Sequence, residues 1–161
     1  MKLLLLGLCW VSCAATEKRV EVQPLSEAKP TEGKVSKSEE EWKKVLSDQQ
    51  FYVLRKSGTE RPFTGPYWDD HQPGTYVCAG CGAVLFQSKA KFESGTGWPS
   101  FFEAAAPASV VAITDSSYGM ARTEIRCAKC GGHLGHLFDD GPKPTGMRYC
   151  INGAALKKAS P

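Results

Sequence analysis

The sequence predicts a mainly-β fold of small antiparallel sheets, entered through short N-terminal helices. Three observations carry this expectation. Helix-start signals occur before Gly58 and stop there. Six short β-type runs follow, broken by Gly and Pro turns with no long helical pattern between them, which favours antiparallel pairing over βαβ units. Two Cys-x-x-Cys-Gly turns lie among those runs, at the spacing of a metal knuckle.

In chain order, Met1 to Ala15 read as an export signal: Lys2, then an apolar run from Leu3 to Val11, then the small residues Ser12-Cys13-Ala14-Ala15. The run is too short to span a bilayer as a helix. Val11-Ser12-Cys13 also resembles a bacterial lipoprotein box with a lipid on Cys13, but Trp10 stands where leucine is usual, which favours simple cleavage. The expected location is therefore outside the cytoplasm, periplasmic or secreted, with a eukaryotic secretory lumen as the alternative. Residues 16–37 are rich in Glu, Lys, Pro, Thr and Ser, and bury too little apolar surface to offset their ordering entropy. They read as a flexible linker to a domain over residues 38–161.

That domain opens with Ser38 and Glu41 at capping-box spacing, followed by the apolar stripe Trp42, Val45 and Leu46. Ser47 with Gln50 repeats the start signal for a second helix carrying Phe51 and Leu54. Trp42 is expected to anchor the core. Strands are expected over Thr75 to Cys78, Ala83 to Phe86, Val110 to Thr114, Arg122 to Arg126, His133 to Phe138 and Met147 to Ile151.

The 161 residues fit one domain with appendages, and 42% hydrophobic with 23% charged residues is ordinary for a globular protein. A net charge of +3 is too small and dispersed to point to nucleic acid. The informative excess is seven cysteines. Cys78-Ala79-Gly80-Cys81-Gly82 and Cys127-Ala128-Lys129-Cys130-Gly131 together offer four thiolates, which suits one tetrahedral zinc in a closed, structural site. Two disulfides are the alternative, since export favours them; a disulfide inside Cys-x-x-Cys is more often a redox device.

Cys9 and Cys13 fall in the export signal, so Cys150 is left without a partner. An inert buried cysteine is one reading. The other is a reactive thiol: Arg148 and Asn152, two positions to either side, share its face in a strand, and a guanidinium favours the thiolate. His133 and His136 offer hydrogen bonding or a proton, provided the fold brings them near. In Ser94-Gly95-Thr96-Gly97-Trp98-Pro99-Ser100-Phe101 a tight glycine loop and a following proline display Trp98 at a rigid bend, where it would form a wall for a small, polarizable apolar group such as a thioether methyl; a core tryptophan is the alternative.

Together these stretches resemble the methionine-R-sulfoxide reductase B family, from about Glu41 to Leu156. Gly58-Thr59-Glu60, Pro62-Phe63, both knuckles, the Trp98 loop, His133-Leu134-Gly135-His136, Asp139-Asp140-Gly141-Pro142 and Arg148-Tyr149-Cys150-Ile151-Asn152 occur in the family's order. The resemblance implies two small antiparallel sheets in a zinc-stapled, tent-like fold. It implies reduction of the R epimer of methionine sulfoxide, free or in oxidised proteins and peptides. Cys150 would be the nucleophile, with His133 and His136 as proton-handling partners and Trp98, Arg148 and Asn152 lining the substrate pocket. Attack by Cys150 would leave a sulfenic acid. Many members reduce it with a second cysteine where this chain has Thr96. A thioredoxin-like or small external thiol is therefore expected to regenerate Cys150. A monomer is expected, with membrane contact only through a lipid on Cys13.

Overall fold

The computed structural model describes residues 33–116 and 122–159. Residues 1–32, where the sequence leads us to expect an export signal with Cys9 and Cys13 and most of a linker, lie outside the described residues. Two helices come first, α1 (Glu39–Val45) and α2 (Asp48–Lys56), each opened by a complete capping box, Ser38 with Glu41 and Ser47 with Gln50. Each box satisfies backbone donors that a helix start leaves unpaired. Trp42 is only 2% exposed, whereas Val45 turns to solvent; the buried stripe passes instead through Leu46, Val53 and Leu54. Val35, just ahead of α1, already donates to the Lys129 carbonyl at 2.9 Å and packs on the core.

The strands are β1 (Thr75–Cys78), β2 (Val84–Gln87), β3 (Lys91–Phe92), β4 (Ser100–Phe101), β5 (Val110–Asp115), β6 (Arg122–Cys127), β7 (His133–Phe138), β8 (Arg148–Ile151) and β9 (Leu156–Lys158). They form two antiparallel sheets, one of order β2-β1-β9 and one of order β3-β4-β8-β7-β6-β5. Aromatic rings join them. Phe86 of the smaller sheet stacks on Phe101 of the larger at 4.4 Å between centroids, and Tyr76 meets Phe101 edge-on at 5.1 Å. The rings of Tyr76, Phe86 and Phe101 are fully buried, so this junction is the centre of the core.

The core dictates where the larger sheet can carry chemistry. Along β8, Tyr149 and Ile151 turn inward to the junction, so the alternation of a strand turns Arg148 and Cys150 to the opposite face. β8 runs between β4 and β7, and Cys150 has Ser100 opposite it on one side and His136 on the other. A side chain at position 135 would collide with the Cys150 carbonyl, so only glycine allows β7 this close to the strand that carries the thiol.

Candidate active site and metal centre

The two knuckles form at equivalent turns, one between β1 and β2 and the other between β6 and β7. In each, the first cysteine's carbonyl accepts from the glycine that follows the second: Gly82 N donates to Cys78 at 2.9 Å and Gly131 N to Cys127 at 2.8 Å. Both glycines have positive φ, +71° and +68°, which explains the residue type after each second cysteine. The four sulfurs converge within 4.8 Å of one another. Cys78 Sγ lies 3.7 Å from Cys130 Sγ, and Cys81 Sγ 3.6 Å from Cys127 Sγ. A tetrahedral zinc–thiolate site with bonds of about 2.3 Å has an S···S edge of about 3.8 Å. The cysteines are free thiols, not disulfides, and the donor set fits a metal ion. Neighbouring sulfurs, and after them burial, push the Cys78 thiol up, the crowding that a divalent cation relieves.

Away from the knuckles, Cys150 is a free thiol and half-buried. It lines a cavity of about 160 Å³ with Thr59, Trp98, Arg122, Gly135, His136, Phe138 and Asn152. Burial pushes the Cys150 thiol up, and this outweighs the opposing influence of Arg148 and of the Thr96 hydroxyl. The Arg148 guanidinium is held by Asp140 in a two-pronged pair at 2.7 and 2.8 Å and lies 4.3 Å from the centre of the Phe138 ring. Arg148 thus stands beside the thiol as a braced cation, and Asp140 is held below the usual carboxylate range by it.

Trp98 and Asn152 share one anchor that sequence reasoning left without a role, Glu60. The Glu60 carbonyl accepts from Trp98 Nε1 at 3.1 Å, and its N–H donates to Asn152 Oδ1 at 3.0 Å. Its carboxylate, 5% exposed, accepts from the backbone N–H groups of Gly153 and Ala154. Burial nevertheless pushes the Glu60 carboxyl up. Asn152 gives one amide proton to the Leu134 carbonyl at 3.0 Å, so its second is left for the cavity. One buried acid therefore sets the indole wall and the amide together; its sequence signal is a lone Glu in a loop of prolines and glycines.

The histidines diverge. His136 lines the cavity, and its Nε2 lies 3.1 Å from Asp115 Oδ2. His133 sits behind it, 3% exposed, with Nδ1 2.6 Å from Glu124 Oε1, and lines an adjoining polar cleft. Burial holds the His133 imidazole below its ordinary value, despite Glu124. Three residues apart, the two should face opposite sides of a strand. The register shows why they do not: Arg126 pairs with His133 but Ile125 with Gly135, so β7 carries one extra residue. That bulge brings the two rings to 5.4 Å, edge to face.

Residues 46–160 match the family model described as the SelR domain. Among similar proteins, the peptide methionine sulfoxide reductase MsrB of Bradyrhizobium diazoefficiens is 61% identical over 134 residues, which cover 83% of this chain and 96% of that one. The protein of the same name from Agrobacterium fabrum is 56% identical over 126 residues, covering 78% and 93%. That from Leptospira interrogans is 59% identical over 123 residues, covering 76% and 94%.

Proposed function

Because the chain belongs to the MsrB family and is a peptide-methionine (R)-S-oxide reductase serving repair of oxidised proteins, we propose that Cys150 is the atom-transferring residue. The observation that carries this reading is a free, half-buried sulfur in a cavity walled by Trp98 and His136. The sulfoxide methyl packs against the Trp98 indole. The oxygen turns toward His136 and the spare amide proton of Asn152. His133, braced by Glu124, supports the His136 ring from behind.

A sulfoxide sulfur becomes electrophilic once its oxygen is protonated. The Cys150 proton passes through the His136 imidazole to that oxygen, while the Arg148 guanidinium stabilises the charge growing on Sγ. The substrate S–O bond breaks and an Sγ–O bond forms. The substrate sulfur is reduced by two electrons to the thioether, and Cys150 is oxidised by two to a sulfenic acid. Among the described residues the free cysteines are the four knuckle thiols and Cys150, so no second thiol adjoins it there. An external thioredoxin-like or small thiol attacks the sulfenic acid and releases water; a second thiol frees Cys150 and leaves as the disulfide.

One zinc ion held by Cys78, Cys81, Cys127 and Cys130 completes the reading as a structural staple, supported by the sulfur spacing. Residues 1–15 act as an export signal, with Cys13 as an alternative lipid site, and residues 16–37 as a linker to the catalytic domain at 38–161, its last part docked on the domain through Val35. The protein then works as a monomer outside the cytoplasm. Apart from that contact, what supports this part is sequence composition alone.

The test is an assay of the two separated sulfoxide epimers with dithiothreitol, comparing the parent with Cys150→Ser. Only the R epimer is consumed, and only by the parent. Retained activity in Cys150→Ser would refute the assignment of the nucleophile.

A further inference from the structure

Behind Cys150 lies a file of hydroxyls that the mechanism above does not use. Ser100, fully buried and opposite Cys150 across β4–β8, has two acceptors for its one hydroxyl proton, Ser94 Oγ at 2.7 Å and the Trp98 carbonyl at 3.2 Å, and the shorter contact directs it to Ser94. The Thr96 backbone N–H also points at Ser94 Oγ, at 3.4 Å. A hydroxyl has two acceptor sites and one proton. With both sites engaged, Ser94 has only its proton to offer its third neighbour, Thr96 Oγ1, at 2.8 Å. Thr96 is then an acceptor from Ser94, and its own proton is free to turn to the next polar atom, Cys150 Sγ at 4.0 Å.

We propose that Thr96 is a further catalytic residue, whose hydroxyl proton, aimed by the Ser100–Ser94 file, is held against Cys150 Sγ as that atom gains charge. The contact is long for a neutral thiol, a poor acceptor. It tightens on a thiolate, because hydrogen bonds to ionised acceptors are shorter and stronger. Each hydroxyl in the file polarises the next, so the effect of the buried Ser100 reaches the sulfur through two intermediates. The direction agrees with the Thr96 hydroxyl opposing the effect of burial on Cys150. Arg148 then acts on the nucleophile through its charge first and its hydrogen bond second, and Thr96 as a directed proton. The inference rests on Cys150 being the nucleophile.

The test is the pH dependence of Cys150 alkylation by iodoacetamide, followed on the peptide that carries this residue. Thr96→Val keeps the shape and removes the proton; its midpoint is expected to rise by about one pH unit. Thr96→Ser restores the hydroxyl and the parental midpoint. A Thr96→Val midpoint equal to the parent's, or a Thr96→Ser shift as large as that of Thr96→Val, overturns the proposal. Should Thr96→Val fail to fold, Ser94→Ala cuts the file one step back: an upward shift supports the proposal and an unchanged midpoint overturns it. Alkylation requires no sulfoxide, so shifts of this kind in a protein inactive on both epimers would refute the proposed function and leave the Thr96 assignment standing.

Discussion

The knuckle end and the thiol cavity use the same side chain under opposite conditions. At the knuckles four sulfurs crowd within 4.8 Å, and the turns that hold them join the smaller sheet to the larger. At the cavity one sulfur stands apart, with a guanidinium, an imidazole and a hydroxyl in place of further sulfurs. Crowded thiols can ionise together only on a cation, and a closed four-thiolate site leaves no position for a substrate. A solitary thiol keeps its proton until substrate and neighbours remove it. Cysteine chemistry here is decided by the number of sulfur neighbours and by access.

If that contrast holds, damage at the two ends separates stability from turnover. The largest expected effect is at the knuckles. Cys78→Ser or Cys127→Ser, or removal of the metal by a chelator, should destabilise the fold by at least about 3 kcal/mol, read as a fall in melting temperature with loss of bound zinc. Unchanged melting in those variants would break the comparison. Next comes Trp98→Ala, which should lower kcat/KM for the R epimer by roughly 10- to 100-fold, about 1.4–2.8 kcal/mol, with the fold intact. Global unfolding would make Trp98 a core anchor.

The smallest effect sharpens the cavity side. Burial disfavours the charged thiolate, so the Cys150 titration midpoint should lie above that of an ordinary thiol, and alkylation should be slow at neutral pH and faster as pH rises. Arg148 favours the thiolate, so Arg148→Met should move the midpoint further up, by about one unit or less, because the thiol itself is only half-buried. An unchanged or lower midpoint would mean that the guanidinium does not stabilise the Cys150 thiolate.

Both helices were legible from their capping boxes, and both knuckles from their spacing, because these signals are local. Strands β3, β4 and β9 were not. Each is two or three residues long, too short for alternation to register, and the β4 ladder exists only because β8, about fifty residues later, lies against it. The same limit applies to the site. Cys150, Trp98, His136 and Asn152 were singled out from the chain and line one cavity. The bulge that turns His133 and His136 to one side is a property of the β6–β7 pairing, and no residue spacing announces it. Burial of Cys150 is likewise a property of the assembled sheets, so its outweighing of Arg148 could not be read from the Arg148-to-Cys150 interval. Glu60 went without a role because its partners, Trp98, Asn152, Gly153 and Ala154, are distant in sequence and met through backbone groups as much as side chains.

The most direct measurement is a single turnover on the zinc-loaded protein with the R epimer and no added thiol, followed by dimedone and peptide mass analysis. About one methionine per chain, with the adduct on the peptide carrying Cys150, is the result expected from oxygen transfer to that sulfur. Methionine production without any adduct there, or an adduct confined to a knuckle cysteine, would contradict it.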